Sequence, residues 1–156
     1  MNPREESMKA QQLRTRAGGF TLIELMISIV VATILLAIAI PSYKSQIEKS
    51  RRTDAKTAVL DLAAREQRFY SLQNSFTTSF SNLGYASGSP TSVTVGSGYY
   101  TVTLSTTTPA GGFTVTATAT GSQTADTACQ TFTVNNTGLQ KAYDASSNDN
   151  TTTCWQ

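Results

Sequence analysis

One apolar run, residues 20–40, constrains this chain more than any other feature of its sequence. The run is 21 residues long and contains a single ionisable side chain, Glu24. Because a helix rises about 1.5 Å per residue, the run would be about 31 Å long, which matches a hydrocarbon core of about 30 Å. The sequence therefore predicts one membrane-spanning helix near the N-terminus.

The residues before the run are polar and carry a net positive charge. Arg14 and Arg16 lie beside the apolar run, so the positive-inside rule places the N-terminus in the cytoplasm and the rest of the chain outside. The small residues at 17–19 precede the run, whereas a signal peptide is cleaved after its apolar region. Cleavage after Gly19 would therefore leave the hydrophobic helix on the mature protein.

Two residues in or beside the run are candidates for a functional role. An acid inside a membrane helix costs up to a few kcal/mol unless it is paired, which makes Glu24 a functional candidate. The alternative is an acid favoured by the helix dipole near an N-terminus. Pro41 cannot donate a helical hydrogen bond and crowds the preceding turn, so it predicts a kink or a local opening. The alternative for Pro41 is a plain helix end.

The segment GFTLIELMI at residues 19–27, with Pro41 closing the apolar run, resembles the N-terminus of type IV pilins of the IVa class and of pseudopilins. The resemblance implies that a prepilin peptidase cleaves between Gly19 and Phe20 and methylates the new amino group of Phe20. It also implies a fibre in which residues 20 to about 72 form a central helical bundle. In that bundle Glu24 would meet the N-terminus of a neighbouring subunit.

Residues 41–72 read as an amphipathic continuation of the helix. Residues 42–72 contain no glycine or proline, and apolar residues recur at near three-to-four spacing. This stretch contains seven Lys or Arg and four Asp or Glu, whereas the chain beyond residue 72 contains three Asp and one Lys. A nucleic-acid stripe is an alternative, but we favour a solvated or subunit-facing surface. A basic shaft and an acidic head would help subunits to interlock.

The second half of the chain changes to a period of two from residue 100 onward. Apolar residues alternate with threonine around Val102, Val115 and Phe132, a pattern typical of half-buried strands. Residues 73–92 read as a connecting loop, and the segments 109–112 and 135–138 read as turns. We predict an α+β fold, in which the long helix packs on an antiparallel sheet of about four strands.

The C-terminal region contains the only two cysteines, Cys129 and Cys154. Two unrelated thiols are the alternative, but in a domain expected in an oxidising compartment we predict a disulfide that closes one loop. This arrangement resembles the disulfide-bounded tail of type IV pilins. Asp144, Asn148, Asp149 and Asn150 cluster in the tail, as in calcium-binding pseudopilins, but their spacing fits no recognised calcium loop, so we favour a solvated loop.

Catalysis is not indicated by the sequence. It contains no histidine, no glycine-rich phosphate loop and no recognisable acid pair. We therefore predict no enzyme, with no catalytic, cofactor-binding or metal-binding residue. The predicted organisation is a basic leader at 1–19, a transmembrane and polymerisation helix at 20–40, its amphipathic continuation at 41–72 and a globular head at 73–156.

The resemblance implies a structural subunit, a major or minor pilin, of a type IV pilus used for adhesion, twitching motility or DNA uptake. Its partners would be identical or related pilin subunits, the prepilin peptidase, the inner-membrane assembly machinery and the membrane itself. Nucleic acid is a possible partner that the sequence does not indicate. The subunit would cross the inner membrane once and then enter an extracellular fibre. One alternative is a pseudopilin of a type II secretion system, and another is an anchored binding protein that never polymerises. The disulfide-bounded tail favours a pilus.

Overall fold

The computed structural model of the chain describes residues 19–85, 91–108 and 111–156. Apart from Gly19, the predicted leader lies outside these residues, as do parts of the predicted loop at 73–92 and of the turn at 109–112. The chain divides into two compact units, Met1–Ser42 and Tyr43–Gln156. The described part of the first unit is helical from residue 22, and the second unit contains all of the sheet.

Helix α1 spans Leu22–Gln73 and includes Pro41 within its bounds. Pro41 is therefore not a plain helix end. The hydroxyl of Thr21 accepts a hydrogen bond from the backbone N–H of Glu24 at 3.2 Å, which caps the first turn. The helix contains no glycine, the residue that would lower its helical propensity most after proline.

The sheet is an antiparallel meander in the order β1-β2-β3-β4-β5, so each strand pairs with its neighbours in sequence. The strands are β1 Ser92–Val95, β2 Tyr100–Thr108, β3 Gly112–Ala119, β4 Thr131–Asn135 and β5 Gln140–Tyr143. The predicted α+β class is confirmed, with five strands where about four were expected. A short helix, α2, spans Thr151–Cys154.

The core of the second unit forms between one face of the sheet and one face of α1. A single row crosses four strands, since Val102 lies opposite Ala117, Ala117 opposite Phe132, and Phe132 opposite Ala142. All four side chains are buried, whereas the threonines that flank Val102, Ala117 and Phe132 in their strands are part-exposed or exposed. The helix contributes Ala55, Val59, Leu62 and Ala63 to the same core. Period-two alternation therefore identified the buried face correctly.

Two segments that were interpreted as loop and tail contain regular structure. The connecting loop includes a 3-10 turn, Phe80–Leu83, whose two apolar ends are buried in the core. The predicted tail at 140–156 supplies β5 and α2. Cys129 and Cys154 form the predicted disulfide, and both are buried.

Candidate functional site

The proposed processing site lies at the start of the described chain. Gly19 and Phe20 precede the helix and are exposed, with Phe20 exposing 80% of its surface. Thr21 follows as the helix cap. The peptide bond between Gly19 and Phe20 therefore lies in irregular backbone outside the hydrogen-bonded helix.

Glu24 lies in the first turn of α1. Its backbone carbonyl accepts a hydrogen bond from the Ser28 hydroxyl at 2.8 Å, and its carboxylate forms no ion pair with any residue that the structure describes. A carboxylate at this position is favoured by the helix dipole. The charge remains available to a group supplied by another molecule.

The helix between Glu24 and Pro41 presents apolar side chains on every side. Large hydrophobic residues at 50–70% exposure include Val31, Leu36 and Ile38, and this stretch has no buried residue. The helix is long and apolar enough to cross a membrane. An unpartnered surface of this kind needs lipid or other helices to cover it.

A polar cluster fixes the second half of α1 to the head. Arg52 binds Asp126 through two parallel hydrogen bonds, from Nε to Oδ2 at 2.7 Å and from Nη2 to Oδ1 at 2.8 Å. The buried amide of Gln123 donates to Asp126 at 3.2 Å and to the backbone carbonyl of Glu48 at 3.3 Å. Burial raises the pKa of the nearby Tyr100 hydroxyl to about 12. These contacts hold the turn before Cys129 against the helix.

Glu66 is a second ionisable group in the core. It is fully buried, and its Oε2 atom accepts the backbone N–H of Thr77 at 3.2 Å. Its Oε1 atom has no hydrogen-bond partner among the residues that the structure describes. Burial raises the pKa of the carboxyl. Glu66 thus anchors the segment that follows α1 at an electrostatic cost.

The disulfide region forms one end of the head. Trp155 follows Cys154 and packs edge-to-face on Phe132, with ring centroids 5.8 Å apart. Lys56 of α1 lies 6.0 Å from the Trp155 ring and donates to the Gln156 carbonyl at 3.0 Å. The tail is therefore held by both the covalent bridge and the helix.

The cluster of Asp and Asn residues at 144–150 forms hydrogen bonds within its own loop. Asp144 accepts hydrogen bonds from the N–H groups of Ser146 and Asn148, and Asp149 accepts from Thr151. Among the residues that the structure describes, no group of three or more His, Cys, Asp or Glu side chains is arranged to hold a metal ion. The sequence predicts a solvated loop here, and in the structure its two Asp side chains accept hydrogen bonds from within the same loop.

Sequence reasoning missed two features of this site. The cap at Thr21 has a local signal, because Thr21 and Glu24 match the Ser/Thr-x-x-Glu pattern of a helix start. The Arg52–Asp126 pair joins residues 74 positions apart and has no local signal. Gly19, Phe20 and Glu24 lie at the N-terminal end of the apolar run and Pro41 at its C-terminal end, and all four are far in sequence from Cys129 and Cys154.

Comparison with known families gives a consistent assignment. The family model described as the prokaryotic N-terminal methylation motif matches residues 14–40. The model described as "Type IV minor pilin ComP, DNA uptake sequence receptor" matches residues 41–133, which is more than half of the chain. The chain belongs to the type IV pilin family.

Curated relatives of this pilin are themselves pilins. The type IV major pilin protein PilA of Myxococcus xanthus (strain DK1622) is 34% identical over 79 residues, which cover 51% of this chain and 36% of the relative. The type IV major alpha-pilin of Moraxella bovis is 45% identical over 76 residues, 44% of this chain and 47% of the relative. The type IV major fimbrial protein FimA of Dichelobacter nodosus is 40% identical over 91 residues, covering 51% and 53%.

The matches therefore span about a third to a half of the length of these relatives. A solved structure of a type IV pilin from Shewanella oneidensis is 25% identical, with a TM-score of 0.44, and the match covers 60% of this chain and 89% of that one.

Proposed function

We propose that this pilin is a structural subunit of a type IV pilus, cleaved after Gly19, methylated on Phe20 and assembled through its N-terminal helix. The observation that carries the proposal is the uncovered apolar surface of α1, which follows a single unpaired acid, Glu24. Lipid covers such a surface before assembly, and neighbouring helices cover it in a fibre. The chain would thus cross the inner membrane once before polymerisation, with its N-terminus in the cytoplasm.

The four predicted segments divide this function between them. The leader at 1–19 orients the chain and is removed, residues 20–40 anchor it and then polymerise, residues 41–72 join the anchor to the head, and residues 73–156 form the fibre surface. The similarity to type IV pilins and to a type IV fimbrial protein favours a pilus over a secretion pseudopilus. The role is structural, with no reaction catalysed by the subunit.

Glu24 has the central role in assembly in this proposal. Its carboxylate pairs with the positively charged N-terminus of an adjacent subunit, which favours one axial register over others. Pro41 lowers the local rigidity of the helix within the fibre, since it leaves one backbone carbonyl without its helical donor. The inner-membrane assembly machinery and the prepilin peptidase are the further partners.

The test combines processing with assembly. Fibres sheared from cells that express the chain are analysed by mass spectrometry, and we expect subunits that begin at methylated Phe20. Glu24→Ala should leave normal amounts of membrane-bound subunit but at least tenfold fewer fibres. Glu48→Ala, which removes an acid from the same helix beyond the apolar run, is the matched control and should assemble normally. Normal fibres from Glu24→Ala would contradict the proposed role of Glu24.

Capture of DNA is a second candidate function. It is favoured by the match of residues 41–133 to the model whose description names a DNA uptake sequence receptor. If it is correct, purified fibres should bind duplex DNA, and the affinity should fall steeply between about 50 and 200 mM salt. Absence of binding at the lower salt concentration would exclude this role while leaving the structural role intact.

A further inference from the structure

Folding neutralises only part of the basic stretch of α1. Arg52 is bound to Asp126 at 2.7 Å and Arg65 to Asp61 at 2.8 Å. The only other ion pair within the described residues joins Lys141 to Asp149 at 3.6 Å. Among the described residues, Lys49 and Lys56 take part in none of these ion pairs, and Lys56 Nζ donates instead to the backbone oxygen of Gln156 at 3.0 Å.

These two lysines line the same cleft. The cleft has a volume of about 250 Å³ and lies between α1 and the C-terminal tail, with Arg52, Thr53, Thr153, Cys154 and Gln156 as its other walls. Residues 49, 52, 53 and 56 share one helix face because they are separated by three or four positions. Burial, and then the charge of Arg52, lower the pKa of Lys56. The cleft is thus a polar site with excess positive charge, suited to an anion.

The head has one acid, Asp144, whose negative charge could complement the positive charge of this cleft. Asp126 and Asp149, the other two acids of the head, are paired with cations. Asp144 forms no ion pair with any described residue, and its carboxylate belongs to an exposed loop. On α1 of this unit, Glu66 is buried, and Glu48 and Asp54, which form no ion pair with any described residue, lie among the cations.

The loop holds the Asp144 carboxylate in a fixed position. It accepts hydrogen bonds from Ser146 N–H at 2.8 Å, Asn148 N–H at 2.8 Å and the Asn148 side-chain amide at 2.9 Å. These hydrogen bonds lower the pKa of Asp144, and the bond from the Asn148 side-chain amide has the largest effect. The carboxylate therefore stays ionised in mildly acid conditions. A carboxylate has about four lone-pair sites, so three donors leave room for a lysine.

We propose that the Asp144 loop of one copy docks in the Lys49–Lys56 cleft of a neighbouring copy when the subunits polymerise. This inference rests on the assembly proposed above. The two surfaces differ, so the contact is heterologous, and repetition of such a contact generates an open helical fibre. Lys49 lies nine residues beyond Ile40, and nine residues span at most about 32 Å even when fully extended. Lys49 and Lys56 belong to the same continuous helix, α1, as the apolar run.

The occupant follows from charge. Electrostatic complementarity between surfaces fixes register and penalises wrong pairings more than it raises affinity. A second copy is present at every step of polymerisation and supplies the matching acid, whereas the net charge of the whole chain, +2, is small for a nucleic-acid surface. The docked loop and the Glu24 contact would thus set the position of the same subunit at two separate points.

Charge reversal of the full chain, expressed in the cell that assembles it, tests the proposal. Lys49→Glu with Lys56→Glu, and separately Asp144→Lys, should each reduce sheared fibres at least fivefold per unit of membrane-bound subunit. The triple variant, in which both surfaces are reversed, should recover most of the wild-type yield. Arg68→Glu reverses a charge on the same helix outside the cleft and is the matched control.

Two milder variants separate assembly from folding. Lys49→Glu alone leaves the Lys56 contact to Gln156 intact, and Asp144→Asn keeps a side-chain acceptor for the loop while it removes the charge. Lys49→Glu should keep the wild-type urea midpoint, whereas Asp144→Asn should lower it slightly because the hydrogen bonds to the ionised carboxylate are weakened. Both should still reduce the fibre yield. Unchanged yields in these variants, or no recovery in the triple variant, would overturn the proposal.

Other outcomes identify a different explanation. If wild-type chain forms no fibres, the proposed function itself is wrong. If wild-type fibres form and charge reversal leaves them unchanged but abolishes binding of a random duplex DNA, the cleft binds phosphodiesters and the second-copy proposal is overturned.

Discussion

Arg52 and Asp126 form a nearly buried bidentate ion pair, with 13% and 3% of their side chains exposed. The pair ties α1 to the turn that precedes Cys129. Removal of one member leaves an uncompensated charge in a poorly solvated position. Asp126→Ala should therefore lower the free energy of unfolding by about 3 kcal/mol.

The measurement is urea unfolding of the full chain in detergent, followed by fluorescence of Trp155, the only tryptophan. Asp61→Ala is the control, because it breaks the exposed pair with Arg65 and should cost at most about 1 kcal/mol. Equal effects of the two substitutions would contradict the assigned importance of the Arg52–Asp126 pair.

The disulfide should contribute more than any other single element of the tail. Cys129 and Cys154 are 25 residues apart, and closing a loop of this length stabilises by about 3 to 4 kcal/mol on the chain-entropy model. Replacement of both cysteines by serine should lower the urea midpoint accordingly. Reductant should reproduce the loss in the wild-type chain and have no effect on the double variant. A wild-type midpoint that is insensitive to complete reduction would refute this prediction.

Glu66 should make stability depend on pH in an unusual direction. Burial raises its pKa above the ordinary value of 4.5, so the folded state binds this proton more tightly than the unfolded state. The contribution of Glu66 is therefore most favourable below pH 4.5 and is lost as the pH rises through the higher folded pKa.

Glu66→Gln removes this dependence and keeps an acceptor for Thr77. We expect the variant to be more stable at pH 7 by on the order of 1 kcal/mol. The difference in urea midpoint between variant and wild type should shrink as the pH is lowered towards 4.5. Comparison of the two chains cancels the opposite contributions of Asp144 and Asp149, whose pKa values are lowered by hydrogen bonds. A difference that is constant with pH would exclude Glu66 as its source.

A glycine is required at position 112 both by its backbone conformation and by the lack of room for a side chain. Its φ is +135°, and a Cβ atom there would lie 2.6 Å from Asn136 Oδ1. Gly112→Ala should destabilise the head by about 2 kcal/mol. Gly98→Ala separates the two causes, since Gly98 has a φ of +98° but open space around its Cβ position, and it should cost less. A larger loss at Gly98 would mean that the Asn136 contact is unimportant.

Patterns in the sequence predicted the parts of this fold that repeat. The alternation around Val102, Val115 and Phe132 identified three strands because one buried face imposes a period of two. Strand β5 was missed because only Ala142 of its four residues is buried. Strand β1 was missed because two half-buried valines in a serine- and glycine-rich stretch give a weak signal.

The sequence likewise predicted some features of the candidate site and missed others. Glu24, Gly19 and Pro41 could be named as candidates from the sequence, because the role proposed for each depends on its position relative to one continuous apolar run. The Lys49–Lys56 cleft could not be predicted from the sequence, since the charge of the cleft depends on which of its cations form ion pairs in the folded chain. Arg52 and Lys49 have similar surroundings in sequence, and only the approach of Asp126 from 74 residues away distinguishes them.

The tail also covers the outer edge of β5. Ala142 donates its N–H to the Thr151 hydroxyl and accepts the N–H of Asn150, both at 2.9 Å, so the tail occupies backbone groups that another strand would use. An open edge is a template for edge-to-edge aggregation, and the danger grows where many identical heads are crowded together. The Cys129–Cys154 bridge keeps this cover in place, so its reduction would change what the sheet can pair with as well as how stable it is. Oxidation would then be the step that makes the head safe to pack at fibre density.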